Sequence, residues 1–238
     1  MEFLLDGIRE GWHLLLHPDA ELKSAFDVTM RVAFFSTLFS LAAGLPLGLL
    51  LGLRSFRGRS AGLSLANAGL GLPPVVVGLI VAIMLFRMGP FGGLNLLYTV
   101  NGIIVAQTLL ALPIVVAFTA AAVQAVPTAL LDQASALGAS RPRVAMLALR
   151  EARVGIFAAV IAALGSALSE VGAVVLVGGN IQQQTETLAS AVLVKVSAGE
   201  YGPALAYGFI LLGLILVLAA VLTLLQQRGA ASLGWRAS

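Results

Sequence analysis

Of the 238 residues, 59% are hydrophobic and only 11% charged, and the mean hydropathy is +1.00. Soluble domains average roughly 45–50% apolar and about 25% charged residues, so a soluble chain of this composition could not cover its own apolar surface. The net charge of +3 comes from 14 basic and 11 acidic residues. The basic residues lie beside apolar runs without interleaved aromatics, which speaks against nucleic acid as a partner. With no cysteine and only His13 and His17, thiolate chemistry, disulfides and histidine-built metal cages are excluded.

The chain opens on residues 1–28, an N-terminal amphipathic segment that holds six of the eleven acidic residues. Glu2, Asp6 and Glu10 replace the basic start of a signal peptide, and the weakly apolar stretch 3–17 reads as an interfacial helix. A membrane helix needs about 20 mostly apolar residues. Spans are expected near 29–53, 60–86, 99–123, 154–177 and 204–225, within a transmembrane domain covering 29–226. The span at 60–86 is interrupted by Asn67, Gly69, Gly71 and the Pro73–Pro74 pair, which predicts a break or kink because each proline removes a backbone donor. Long apolar runs without period-two alternation argue for helices over a barrel. The fold class is therefore an all-α polytopic membrane protein of about five spans, six if 3–17 also crosses. The short stretch 188–196, which contains Lys195, reads as interfacial.

Arginine and lysine set the orientation. Nine of the 14 basic residues fall on one side: Arg54, Arg57, Arg59, Arg141, Arg143, Arg150, Arg153, Arg228 and Arg236. This side is expected to be cytoplasmic, together with the tail 227–238 and the C-terminus.

Residues 124–153 form a cytoplasmic connection too long and polar for a turn. Thr128 after Pro127 starts a helix, Gly138 suits a left-handed C-terminal position, and Ser140 with Pro142 starts a second helix. The product is a helical hairpin that either merely links two spans or docks on a cytoplasmic partner. No Gly-x-x-x-x-Gly-Lys-Ser/Thr motif occurs, so the chain has no phosphate-cradling loop. Nor does a nucleophile–base pair occur, and the chain is not expected to be an enzyme.

Within the hairpin, Asp132-Gln-Ala-Ser-Ala-Leu-Gly138 resembles the Glu-Ala-Ala-x-x-x-Gly loop of the permease subunits of binding-protein-dependent ABC importers. It departs from that loop at Gln133. It also lacks the Ile-x-Leu-Pro that usually follows, with Leu149-Arg-Glu-Ala152 near that place. Leu72-Pro-Pro-Val-Val-Val-Gly-Leu79, Gly89-Pro-Phe-Gly92, Ala106-Gln-Thr, Leu112-Pro-Ile114, Ser169-Glu-Val-Gly172 and Gly178-Gly-Asn-Ile181 are similar to the oxyanion branch. In combination they are most like the tungstate permeases, with molybdate and sulfate relatives close. The resemblance implies a type I importer subunit and a homodimer in the inner membrane of a bacterium or archaeon. It also implies a cytoplasmic ATPase dimer that binds ATP-Mg, an extracytoplasmic oxyanion-binding protein, and no cofactor in this chain. Coupling to the ATPase would fall to Asp132, Gln133, Ala134, Gly138, Ala139, Ser140 and Arg141.

Candidates for the pathway or its gate are Pro73, Pro74, Glu170, Gly178, Gly179, Asn180 and Arg31. Glu170, a carboxylate inside an apolar run, is costly unless paired or wet. Pairing with Arg31 or Lys195 is expected, in a structural or gating role before direct contact with an anion. Arg31 either attracts the anion or snorkels to the interface, and Pro73–Pro74 mark either a constriction or a packing kink. Gly178, Gly179 and Asn180 read as a helix end with left-handed backbone, closing the outer mouth in the family reading. Gly44, Gly48 and Gly52 recur every four residues as a close helix-packing face. Two readings from other classes remain: a self-sufficient secondary anion carrier dependent on Glu170, and a membrane anchor for a cytoplasmic complex.

Overall fold

The computed structural model describes residues 2–231, and of the tail at 227–238 the last seven positions lie outside them. Helix α1 (Glu2–Leu16) is followed by α2 (Ala20–Leu53), α3 (Arg59–Gly69) and α4 (Pro74–Leu85). A single 3-10 turn (Gly92–Leu94) precedes α5 (Val100–Gln124), α6 (Thr128–Ala136), α7 (Arg141–Glu151), α8 (Arg153–Ser169), α9 (Gly172–Gly178), α10 (Leu188–Ser197) and α11 (Tyr201–Ala231). No strand occurs among the described residues.

Among the described residues, three helices are long and apolar enough to cross a membrane unbroken: Ala20–Leu53, Val100–Gln124 and Tyr201–Gln227. Two bent pairs, α3 with α4 and α7 with α8, bring the number to five if each pair is one span. Helix α2 begins nine residues earlier than the hydropathy pattern suggests. The Asp19 carboxylate accepts from the Leu22 N–H at 2.7 Å and caps the new start. A helix of 34 residues is about 51 Å long, well beyond the roughly 30 Å hydrocarbon core. At its other end, Arg59 Nε donates to the Leu51 carbonyl at 2.8 Å and satisfies one of the terminal acceptors. Thr99 Oγ1 accepts from Gly102 N–H and starts α5 in the same manner.

The break expected in 60–86 near Pro73–Pro74 is present, with α3 and α4 bent by 103° across residues 70–73. Two expectations need correction. The stretch 154–177 is two helices, parted at Glu170–Val171, because Glu170 leaves the helical path to cap α9 with its side chain. Helix α10 is not merely interfacial: Leu188, Ala189, Ser190 and Ala191 are buried, as only a helix whose first turns enter a core would be.

The chain divides into two compact units, each with its own core. The first comprises residues 1–36, 72–110 and 164–218. In it Leu22, Ala25, Leu188, Ala191, Tyr207 and Ile210 pack together, and Val81, Leu85, Ala106 and Val177 form another cluster. The second comprises residues 37–71, 111–163 and 219–238. Here Gly44, Gly48 and Gly52 of α2 face Val115, Thr119 and Val123 of α5. A Cβ added at these glycines would lie 2.6, 2.6 and 2.7 Å from those side chains. The four-residue glycine spacing is thus a backbone-close helix crossing, as the sequence suggests.

Candidate functional site

The hairpin of α6 and α7 lies in the second unit. Pro127 precedes α6 in extended conformation, and α6 closes with Gly138 N–H donating to Ser135 O and Ala139 N–H to Ala134 O, both at 3.0 Å. Gly138 sits at φ +86°. These paired bonds around a left-handed glycine form a Schellman ending, in which a residue with a Cβ is strained. Ser140, extended at φ −67° and ψ 156°, starts α7, and Pro142 occupies its first turn.

Beneath the hairpin, Val123, Val126, Ala148 and Ala152 are buried with Leu130 and Leu131 packed on them. The apolar face therefore fixes the hairpin, while α6 itself buries no residue. Asp132 and Gln133 are exposed, Ala134 and Ala139 half-buried, and Leu137 at the tip is 89% exposed. A groove of about 880 Å³ opens between the end of α2 (Pro46, Leu49, Leu50, Leu53) and the hairpin (Leu131, Asp132, Ser135, Ala139, Arg141, Val144). Asp132, Arg54 and Arg141 share its rim, so the groove offers both signs of charge around an apolar floor. Asp132, Gln133 and Ala134 lie in the last part of α6, Gly138, Ala139 and Ser140 in the turn after it, and Arg141 begins α7.

The gate candidates lie in the first unit. Pro73 caps α4 and Pro74 is its first residue. Helix α4 crosses α9 at close range: a Cβ at Gly78 would lie 2.5 Å from Ala173 Cα, and one at Gly172 would lie 2.5 Å from Val75 Cγ2. The start of α4 thus sits beside the start of α9, where Glu170 Oε1 accepts from Ala173 N–H at 3.1 Å. Pro73, Pro74 and Glu170 are therefore neighbouring elements of one crossing. At the far end of α9, Gly179 (φ +72°) and Asn180 (φ +49°) turn the chain through left-handed backbone. Tyr98 N–H donates to Val177 O at 2.8 Å, and a Cβ at Gly179 would meet the Tyr98 ring at 2.7 Å. Thr185 Oγ1 donates to Gly178 O at 2.6 Å and accepts from Ile181 N–H at 2.9 Å, tying the loop shut.

The cations expected beside Glu170 are engaged elsewhere. Arg31 Nε holds Asp27 Oδ2 at 2.9 Å one helical turn back, on an exposed surface where such a pair is worth about 0.3–0.5 kcal/mol. Lys195 Nζ holds Glu21 Oε1 at 2.7 Å. The first of these was readable from the i, i+4 spacing of Asp27 and Arg31, while the second joins residues 174 positions apart with no local signal. Sequence reasoning also missed the bond from Leu188 N–H to Thr29 Oγ1 at 2.9 Å, which joins α10 to α2, and the buried Glu186 beside it.

Residues 44–229 match the family model described as binding-protein-dependent transport system inner membrane component. The chain belongs to this family. Among curated relatives, a probable anion ABC transporter permease protein of Haloferax volcanii is 44% identical over 82% of this chain and 86% of its own length. The tungstate uptake system permease protein TupB of Peptoclostridium acidaminophilum is 33% identical, covering 95% of this chain and all of the relative. In fold, this inner-membrane component resembles a solved bacterial ABC transporter involved in import of the polysaccharide alginate, with a TM-score of 0.75 at 18% identity over 91% of this chain and 82% of that one. The fold is thus that of a type I ABC importer transmembrane subunit.

Proposed function

We propose that this chain is the translocation subunit of an ABC importer for a tetrahedral oxyanion, tungstate before molybdate or sulfate. Two copies form the path. A cytoplasmic ATPase dimer grips the α6–α7 hairpin, and an extracytoplasmic binding protein delivers the anion. The observation that carries the reading is the hairpin: a short exposed helix, a left-handed glycine ending and a packed second helix, flanking a groove with charges of both signs. The relatives named for anion and tungstate transport support the cargo, and the distribution of arginines supports a cytoplasmic hairpin and C-terminus.

In this reading the chain hydrolyses nothing, and ATP-Mg is held by the partner. ATP-bound and nucleotide-free ATPases differ in the spacing they impose on the two hairpins. Each hairpin moves as one piece because its core is packed and its turn is locked, so the two membrane states are populated according to which spacing is bound. Glu170 acts here as a structural cap of α9 at the crossing with α4, beside the Pro73–Pro74 break. Gly178, Gly179 and Asn180 close the outer mouth, and Arg31 adds positive charge to the approach.

The test is copurification of the tagged chain from its native membrane, followed by reconstitution of the recovered complex in liposomes. Recovery of a P-loop ATPase and a soluble binding protein, with ATPase activity stimulated by tungstate-loaded binding protein, supports the proposal. Stimulation by molybdate or sulfate alone changes the cargo. Anion flux driven by an ion gradient in liposomes containing only this chain would replace the importer by a secondary carrier.

A further inference from the structure

Glu186 lies in the connection between α9 and α10, outside every spanning helix, yet it is only 4% exposed and its Oε2 has no hydrogen-bond partner. Glu21 at the start of α2 and Lys195 of α10 act on it electrostatically, and it acts in turn on Tyr207 of α11, as does the exposed Asp19 one residue before α2. Helix α1 contributes Leu14, which is apolar. The Lys195 ammonium is committed: it holds Glu21 at 2.7 Å and stands 4.8 Å from the centroid of the Tyr207 ring, which is 1% exposed. The side chains of Lys195 and Glu21 are themselves only 13% and 22% exposed.

The cluster therefore places two carboxylates and one ammonium in a nearly dry site. One of each sign can pair, whereas an additional buried charge without a partner costs several kcal/mol and is ordinarily avoided by neutralisation. Glu186 is the carboxylate left over, since Lys195 is bonded to Glu21.

We propose that the cluster is a proton-binding site in which Glu186 carries a proton at neutral pH, so that the buried set is a neutral acid beside a matched Lys195–Glu21 pair. The site is independent of which anion the subunit carries. Burial, and then the like charge of Glu21, push the Glu186 carboxyl above the ordinary carboxylate value, against a smaller opposing pull from Lys195. The site adjoins the Thr187–Leu188 joint, where Thr187 and Ser190 form a capping box and Leu188 N–H reaches Thr29 Oγ1. Loss of the proton places a second negative charge beside Glu21 and strains the seating of α10 on α2 and α11.

A carboxyl whose folded value is raised binds more protons folded than unfolded. Its contribution to stability is fully present below the ordinary carboxylate pKa and is lost as pH rises toward the raised folded value. Within that window one proton is worth a tenfold change in the folding constant per pH unit, or roughly 3–5 °C in the unfolding midpoint of a chain this size.

The test uses the full chain purified in detergent micelles, by infrared difference spectroscopy and by thermal unfolding from pH 5 to pH 9. The expected result is a protonated-carboxyl C=O band at neutral pH that vanishes on alkalinisation and is missing in Glu186→Gln. That variant should also lose the fall in midpoint as pH rises from 5 toward the raised folded value, and match or exceed the parent above neutrality. If Glu186→Gln fails to fold, Glu21→Gln serves instead. Removing the like charge and freeing Lys195 shifts the disappearance of the band to lower pH. A parent without the band at neutral pH overturns the proposal. So does a Glu186→Gln variant with an unchanged band and slope, or a Glu21→Gln variant whose titration stays in place.

Discussion

Replacing Gly138 tests whether the hairpin turn is a mechanical part or a mere connection. The residue sits at φ +86°, and a Cβ built there meets nothing within 4 Å, so any cost is backbone strain and none is crowding. An L-residue held in left-handed conformation loses about 1–2 kcal/mol, and a β-branched residue loses more because its χ1 is also restricted. A cost of about 1–2 kcal/mol moves a two-state equilibrium by a factor of about 5–30. Gly138→Ala should therefore weaken ATPase binding and coupled turnover by that factor, Gly138→Val by more, and Gly138→Asn little, since asparagine tolerates this conformation. The spans pack without Gly138, so their unfolding in detergent should not change across the series. The assays are affinity for the copurified ATPase and substrate-stimulated ATP hydrolysis in liposomes. Equal behaviour of valine and asparagine would refute the reasoning, because the two differ in the backbone preference the argument uses.

Gly48→Val should lower the unfolding midpoint by the equivalent of about 1–3 kcal/mol, because its Cβ would lie 2.6 Å from Thr119 Cβ and 2.9 Å from the Val116 carbonyl oxygen. A midpoint equal to the parent's would refute so close a crossing. Thr29→Val removes the acceptor for the buried Leu188 N–H and should cost about 1–3 kcal/mol, read as faster hydrogen exchange at Leu188; unchanged exchange would show that the bond does not hold that joint. At Glu170, glutamine preserves an oxygen acceptor for Ala173 N–H while alanine does not, so Glu170→Ala should lose about 0.5–2 kcal/mol and Glu170→Gln much less. Equal losses in the two would mean that the charge of Glu170, and not its cap, is what matters.

Features that depend on local chemistry were legible in the sequence. Gly138 marked its turn because only glycine sits there without strain. The Gly178–Asn180 helix end and the glycine face of α2 were readable for the same kind of reason. What could not be read depends on partners distant in the chain. Hydropathy makes 60–86 and 154–177 look continuous, since Pro73–Pro74 and Glu170 announce a disturbance but not its angle. The 103° bend falls at residues 70–73, and α9 starts where Gly78 and Gly172 let α4 and α9 approach closely. The partner assignment for Glu170 failed for a related reason. Composition shows how few cations are near the membrane, but not that Asp27 and Glu21 have already taken Arg31 and Lys195.

The crossing of α2 and α5 has a mechanical corollary. Where side chains separate two helices, each can slide by rotamer changes, and a push on one is partly absorbed. At Gly44, Gly48 and Gly52 there is no such cushion, because the bulk of Val115, Thr119 and Val123 lies directly on backbone. Helix α5 leads through residues 125–127 into α6, so in the proposed importer a displacement imposed on the hairpin would enter a pair of helices keyed together like the teeth of a rack, and would be passed along it with little loss.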